Sequence, residues 1–600
     1  MKALRIPLVL AVLIAALAQA SPAPAQQGFT EITVDYIVET RDGRLFMRVT
    51  HPAQNGEIVR APVILTLSPY NAGSDRSGSS SRWTSRGYAR AVADVIGTGN
   101  SGGCFDHGGA REKRSAYDLV EWIAKQKWST GKIAMMGASY NGTTAIAAAV
   151  MRPPHLTTIV PEVAISRWYD YAYSGGIRYT LNNEKLGQQG LLNGFIVNEQ
   201  GLDTPLAFDF GYALPPPVDY ENEDWAERTQ STMTPCDELE HTQGGYDVDT
   251  PDYNEFWRER DYLKDAHKVR IPVLVAGAWG DWNVKQENSF NFFKALKNSE
   301  KAVLYMGSRW QTHGLPGDNY NATVDQWMDH YLLGVDNGIE NMPEVVSEQA
   351  NSEGELEWYS GAYPKVKEMA LVGQFLPPTT EDAYSWQLMP HQPLNIAGLG
   401  EPPDASFPSV GINTESHAAH HNRMNHDWFW FESGVLKKDV RIFGTPKVQI
   451  YSRVDRTWVT YTPTLIDFDP GAHTSVAGQH VGTTDTSQMV GATRGWLDSR
   501  YRKSLAKPLE IEPGKPFEMT VVQKPIDYTF QKGHVIGLNI QTEINEWSIP
   551  KPYPCTSPDC PFVFINWSEG RTRLILPVVN PPKDFGSLFV GGHSHGQARG

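Results

Sequence analysis

A doubly wound α/β sheet carrying a helical cap, followed by an all-β sandwich, is the fold that this 600-residue sequence predicts. Three observations lead there. Strand and helix signals alternate from about residue 33 to 306, the pattern of a sheet with helices on both faces. A polar, aromatic, Pro- and Asn-rich stretch at about 181–268 interrupts that rhythm, as an insertion capping a site does. Beyond about residue 366 the helical signal largely disappears, and short alternating runs recur between Pro and Gly turns. The length also exceeds one hydrophobic core, so more than one domain is expected.

The elements follow in order. Lys2 and Arg5 precede an apolar stretch over residues 6–18, and small-residue cleavage signals follow at Ala18-Gln19-Ala20 and Ala23-Pro24-Ala25. This is a signal peptide over residues 1–25, because the apolar run is too short to span a bilayer. No Cys stands just after it to take a lipid, so a secreted or periplasmic protein is expected. In the catalytic domain, residues 26–365, buried strands are read at 62–67 and 88–95. A helix is read at 115–127, where Ala116, Leu119, Val120, Ile123 and Ala124 keep helical spacing and Ser115 with Asp118 resembles a capping box. A strand at 132–136 runs into Gly137-Ala138-Ser139, and a small-residue helix follows at 143–150. After the insertion the sheet resumes at 272–276 and 302–306. The β-domain is read as 366–588, with clear strands at 448–454 and 535–540, and 589–600 as a disordered tail.

Charge and cysteine content bound the partners. A formal net charge of -15 argues against nucleic acid or an anionic membrane, both of which demand a basic face. The four cysteines fit an oxidising compartment. Cys555 and Cys560 are close enough to close a small loop, with Cys104 and Cys236 as the remaining pair, but three connectivities are open. No spacing resembles a metal site. A homo-oligomer is compatible with the sequence, which says nothing further about assembly.

Ser139 carries the strongest chemical signal. A strand ends at Gly137, a nucleophile follows two residues later, and a helix starts at once. Such a sharp turn needs small neighbours, lifts the hydroxyl above the sheet, and aims the next backbone N–H, that of Tyr140, at a developing oxyanion. The motif here is Gly137-Ala138-Ser139-Tyr140-Asn141-Gly142, with its second Gly three residues past the Ser rather than two. A serine hydroxyl also needs a base, and the base needs an acid to orient it; in α/β-hydrolases the chain order is Ser, acid, His. Asp281, in Gly277-Ala278-Trp279-Gly280-Asp281-Trp282-Asn283, and His313, in Arg309-Trp310-Gln311-Thr312-His313-Gly314, both follow strands at the rim where such sites are built. The bland alternatives are a helix-capping Asp and a surface His.

Several phrases now stand together: Gly97-Thr98-Gly99-Asn100-Ser101-Gly102-Gly103, Ala164-Ile165-Ser166-Arg167-Trp168-Tyr169-Asp170, Asp281-Trp282-Asn283-Val284-Lys285, Asp329-His330-Tyr331-Leu332-Leu333-Gly334 and Arg494-Gly495-Trp496-Leu497-Asp498. With them nearly the whole mature chain resembles the X-prolyl dipeptidyl-peptidase and cocaine-esterase group of α/β-hydrolase serine hydrolases, most of all the X-prolyl dipeptidyl-peptidase branch. The shifted second Gly is usual in that group. The resemblance implies that Ser139, Asp281 and His313 match the triad, and that Tyr70, in Ser68-Pro69-Tyr70-Asn71, joins the Tyr140 N–H in the oxyanion hole. It implies a C-terminal jelly roll beside the active site, and an exopeptidase that releases Xaa-Pro dipeptides without a cofactor. Such an enzyme must bind a free α-ammonium, which calls for a carboxylate near the cleft. Glu162 and Asp170 are the candidates, with Trp168 between them on the same segment; either acid equally suits a structural ion pair with Arg167 or Arg178.

Two motifs are set aside. Gly97-x-Gly99-x-x-Gly102 fits the dinucleotide fingerprint as a string, but the residues after it do not open a helix. His417, His420, His421 and His426 lie in a polar stretch without a matching acid or Cys pattern, and read as a solvated loop rather than a metal site. Two rival functions are a serine esterase or amidase acting on small acyl or α-amino acid esters, and a carbohydrate-binding protein whose hydrolase domain is inert.

Overall fold

The computed structural model describes residues 28–70, 81–178, 251–281, 284–307, 319–350, 356–371, 385–387, 429–469, 475–476, 479–480, 489–541, 562–565 and 571–590. The leader at 1–25, most of the insertion, His313, the four histidines at 417–426 and the tail from 591 lie outside them.

The first strands are β1 (Thr30–Thr40), β2 (Gly43–Gln54), the short β3 (Glu57–Ile58), β4 (Ala61–Ser68), β5 (Ala89–Asp94), β6 (Ser129–Ala138) and β7 (Leu156–Glu162). A small hairpin follows, β8 (Tyr173–Ser174) and β9 (Ile177–Arg178), and then β10 (Val273–Ala278), β11 (Ala302–Gly307) and β12 (Val345–Ala350). In space the main strands lie in the order β1, β2, β5, β4, β6, β7, β10, β11, β12. Pairing is antiparallel from β1 to β5 and parallel from there on. The chain leaves β4 for β5 on one side and returns to β6 on the other. That reversal opens a crevice at the carboxyl ends of β4 and β6, where ligands of such sheets bind.

β4 is buried at every position, as a strand covered on both faces must be. Val63, Leu65 and Leu67 join the larger core, while Ile64 points into the other, around Trp83, Tyr88 and Trp327. The covering helices include α1 (Ser81–Thr84), α2 (Ala110–Ala124) and α3 (Tyr140–Met151). Helix α2 begins one turn before the expected 115. The Asp106 carboxylate accepts the backbone N–H groups of Arg111 at 2.7 Å and Glu112 at 3.3 Å, which satisfies orphan donors of the first turn and is worth about 1 kcal/mol. The expected Ser115–Asp118 box does not form; Asp118 takes the Arg41 backbone N–H and guanidinium instead. The loop at 97–109 has no helix, consistent with the rejected dinucleotide motif.

Of the insertion, the returning part is described: α5 (Glu255–Glu259) and α6 (Leu263–Ala266), preceded in the chain by α4 (Trp168–Ala172). Two more helices, α7 (Gln286–Ala295) and α8 (Tyr320–Met328), flank β11. The C-terminal region is β-rich. One sheet pairs Val440–Gly444 with Ile526–Phe530 and Lys447–Val454 with Pro516–Val522; the other joins Phe429–Glu432, Val535–Gln541, Thr460–Phe468 and Met489–Arg494. Lys447–Val454 alternates buried and less buried positions, as a strand with one face inward does. Tyr528 donates to Asp467 at 3.0 Å, linking the two sheets. Ala350 of β12 bridges in parallel to Tyr528, so the hydrolase sheet continues into the β-rich region. The ordered body also extends past the expected boundary at 588: Phe589 is buried against Leu436, and Val590 donates its N–H to Val435.

Candidate active site

Ser139 sits between β6 and α3 with φ 61° and ψ −127°. An L-residue held there stores about 1–3 kcal/mol of strain and persists only where its surroundings over-determine it. They do so here. The Ser139 N–H donates to the Glu162 carbonyl at 2.9 Å, and the Ser139 carbonyl accepts from the N–H groups of Gly142 and Thr143, both at 3.0 Å. The displaced glycine follows from packing. A Cβ on Gly142 would lie 2.6 Å from the Gly137 carbonyl oxygen and 2.9 Å from that of Glu162, so the start of α3 rests directly on the strand backbones. A Cβ on Gly137 would lie 2.5 Å from the Asn141 Cβ. Glycine at 137 therefore makes room for a side chain at 141, and glycine at 142 for the helix itself.

Tyr70 follows the end of β4, its N–H donating to Ser68 Oγ at 3.1 Å. Its hydroxyl lies 3.4 Å from Ser139 Oγ and is hydrogen-bonded by the Tyr140 backbone. Burial raises this hydroxyl above the ordinary tyrosine range, against the opposing pull of those two bonds, so it stays an O–H donor. Tyr70 and the Tyr140 backbone thus converge beside Ser139 Oγ, the arrangement that an acyl-transfer oxyanion hole requires. Tyr70→Phe is expected to lower kcat for a chromogenic p-nitrophenyl ester about 10²- to 10³-fold with KM little changed, the loss typical of one oxyanion donor. Steady-state kinetics on the full chain measure it.

The Tyr140 side chain turns inward and is 1% exposed. Its hydroxyl donates to Glu112 Oε2 at 2.7 Å, which also takes the Gly108 N–H at 2.9 Å. Burial, with Asp106 adding to it, pushes the Glu112 carboxyl up to about 8. Returning from the insertion, Arg260 donates to the carbonyls of His107 at 3.0 Å and Asp106 at 2.7 Å, and Tyr262 donates to that of Gly108 at 2.6 Å. Glu112, Arg260 and Tyr262 were not among the residues expected from sequence. Glu112 had left a signal: it stands four residues before Ala116 and seven before Leu119, on the apolar stripe of α2.

Asp281 lies three residues past β10 and is 2% exposed. Its Oδ1 accepts the Val284 N–H at 3.1 Å. Trp279, two residues earlier, donates its N–H to the carbonyl of Gly307, the last residue of β11. Ser139 after β6 and Asp281 after β10 therefore share one rim of the sheet. His313, six residues past Gly307, lies outside the described residues.

The amine-binding candidates have internal partners. Glu162, at the end of β7, accepts the Tyr320 hydroxyl at 2.6 Å, and burial raises its carboxyl above the usual range against that bond. Asp170 receives both prongs of Arg167 at 2.6 Å, the structural pairing that stood as its alternative. Trp168 is fully buried, donating to Tyr262 at 3.1 Å with its ring 5.1 Å from that of Tyr140. It packs behind the turn that holds Ser139. Cys104 is disulfide-bonded; Cys236, Cys555 and Cys560 lie outside the described residues. Among the described residues no group of three His, Cys, Asp or Glu side chains is placed to hold a metal ion, and no helix is long and apolar enough to cross a membrane.

Comparison with known proteins adds to this geometry. The chain is 28% identical over 565 residues to a Bacillus anthracis protein that carries the provisional name Xaa-Pro dipeptidyl-peptidase, spanning 87% of this chain and 83% of that one. Among solved structures, a CocE/NonD family hydrolase from Staphylococcus aureus is similar with a TM-score of 0.65 at 17% identity, covering 92% of this chain and 94% of that one. An α-amino acid ester hydrolase is similar with a TM-score of 0.64 at 18% identity, covering 95% and 100%. At such identities the two structures speak for the fold alone: an α/β-hydrolase with a C-terminal β-rich domain. The model of the X-Pro dipeptidyl-peptidase S15 family matches residues 42–311, and that of the X-Pro dipeptidyl-peptidase C-terminal non-catalytic domain matches residues 350–559. With the strained Ser139 turn inside the first match and the two-sheet region inside the second, the chain belongs to the X-Pro dipeptidyl-peptidase family of serine hydrolases.

Proposed function

We propose that this protein is a secreted serine exopeptidase that releases Xaa-Pro dipeptides from peptide N-termini. The observation that carries the reading is the meeting of Ser139 Oγ, the Tyr70 hydroxyl and the Tyr140 N–H at the switch point of the sheet, in a chain matched by both parts of this family. His313 takes the Ser139 proton as Oγ attacks the carbonyl carbon of the penultimate proline. Tyr70 and the Tyr140 N–H receive the negative oxygen. His313 then gives the proton to the leaving amine, and water attacks the dipeptidyl ester by the same route in reverse. Asp281 orients the imidazole. The two-sheet C-terminal region is read as a jelly roll, and residues 1–25 as the secretion signal.

The test is a substrate pair. Ala-Pro-p-nitroanilide should be cleaved with kcat/KM at least about 100-fold above its N-acetylated form, because acetylation removes a charge-assisted bond worth about 3 kcal/mol. Equal turnover of the two would end the dipeptidyl-peptidase reading and leave the esterase or amidase reading, for which small acyl and α-amino acid esters belong in the same panel. A fluorophosphonate probe that fails to label the protein would favour the inert binding protein.

A further inference from the structure

The loop carrying Asp281 runs from the end of β10 to the start of α7, and one short stretch of the C-terminal domain reaches both of its ends. At the near end, Trp279 donates its indole N–H to Ser347 Oγ at 2.9 Å, and Ser347 donates to Asp527 Oδ2 at 2.7 Å. Asp527 is itself fixed by both prongs of Arg441, at 2.8 and 2.7 Å, and the Trp279 ring stands edge-on to Phe443 with centroids 5.7 Å apart. At the far end, Glu287 in the first turn of α7 is ion-paired with Lys524, whose ammonium also donates to Ser174 Oγ at 3.0 Å. Lys524 is anchored in turn: its N–H donates to the Arg494 carbonyl at 2.8 Å, and its carbonyl accepts Thr493 Oγ1 at 2.8 Å.

We propose that the segment from Lys524 to Asp527 is a positioning element for the catalytic acid: the C-terminal domain holds Trp279 and Glu287, and so sets where Asp281 stands. This rests on the reading of Asp281 as the acid of the triad. Ser347, Glu287, Lys524 and Asp527 are all buried. Buried ion pairs seldom add much net stability, since desolvation offsets their attraction, but each fixes a direction and a distance. The loop also needs holding. Lys285, which closes it, adopts φ 68° without being glycine, and its ammonium donates to the Tyr171 carbonyl at 2.9 Å. Burial, with Lys524 adding to it, pushes that ammonium well below the ordinary lysine range against the pull of Glu287. Such a backbone persists only under outside constraint, and a displacement of about 1 Å at a reacting group costs about 10²-fold in rate.

The experiment uses the full chain and the most rapidly cleaved substrate of the panel above. Ser347→Ala cuts the near link while leaving Asp527 paired with Arg441; Lys524→Met cuts the far one, with Lys524→Arg as its conservative counterpart. Each is made alone and on an Asp281→Asn background. Each single variant is expected to lower kcat about ten- to a hundredfold with KM within twofold, with Lys524→Arg restoring most of the loss. On the Asp281→Asn background the same substitutions should cost nothing further, because residues acting through one group are not additive. Equal losses in both backgrounds, or a lowered Tm with unchanged kcat, would show that these contacts only join the domains. Should Lys524→Met fail to fold, Ser347→Ala carries the test. An Asp281→Asn protein with native kcat would overturn the acid assignment itself, and that arm reads it separately.

Discussion

Ser139→Ala is expected to lower kcat about 10⁶-fold while KM stays within a few-fold, because every covalent step passes through Oγ and no other step supplies the nucleophile. Alanine keeps the Cβ, so it carries the same positive-φ strain as serine and leaves the turn in place. Among the described residues, the side-chain hydrogen bond given up is the 3.4 Å contact with Tyr70. Tm should therefore move little, within the range of a substitution that makes no cavity and orphans no charge. What activity survives should be about 10³-fold above the uncatalysed rate, supplied by Tyr70 and the Tyr140 N–H acting on a water molecule. Two measurements check this: initial rates on the best substrate of the panel, and stoichiometric labelling by a fluorophosphonate, which the variant should lose entirely. Retention of more than about 1% of kcat together with the label would mean that another residue is the nucleophile.

The parts of this molecule that were legible in the sequence are those fixed by near neighbours in the chain. The apolar run of β4 marks a strand covered on both faces, and the small residues from Gly137 to Gly142 mark the sharp turn at Ser139. Where a partner lies farther off, the pattern is silent or misleading. Helix α2 starts at Ala110 rather than Ser115, and the carboxylate that takes its first-turn N–H groups, Asp106, sits in a glycine-containing loop that carries no helical period. The pairing of Asp170 with Arg167, three residues away, stood among the alternatives, but the partner of Glu162 did not, because Tyr320 is 158 positions away. Lys524 has the composition of a surface residue, yet it is buried against Glu287, 237 positions earlier. Periodicity reports which face a residue takes, not which distant segment meets it. The role given to Tyr70 came from resemblance alone, and Glu112, which holds the Tyr140 hydroxyl, and Arg260, which holds the 106–107 carbonyls, came from geometry.

Asp281→Asn is the second large effect, a fall in kcat of about 10⁴-fold, or about 5 kcal/mol in the barrier, at nearly constant KM. Asparagine retains an oxygen to accept the Val284 N–H, so the loop keeps its 3.1 Å tie and the folded structure should survive. What changes is the second atom of the group. A carboxylate accepts an imidazole N–H and leaves the opposite ring nitrogen bare, ready to take the Ser139 proton. An amide N–H turned toward the ring reverses that choice and puts a hydrogen on the nitrogen that must act as base. The loss should therefore fall on proton transfer: kcat and kcat/KM drop together, and the rate of fluorophosphonate labelling drops with them. A loss of tenfold or less would relieve Asp281 of the role. The next carboxylate along the rim is Glu162, at the end of the adjacent strand β7. Its oxygen already takes the Tyr320 hydroxyl and burial favours its neutral form, both of which disfavour it as the orienting anion. Glu162→Gln made in parallel should therefore leave kcat within about tenfold of native while Asp281→Asn does not, and a reversal of that order would move the acid one strand over.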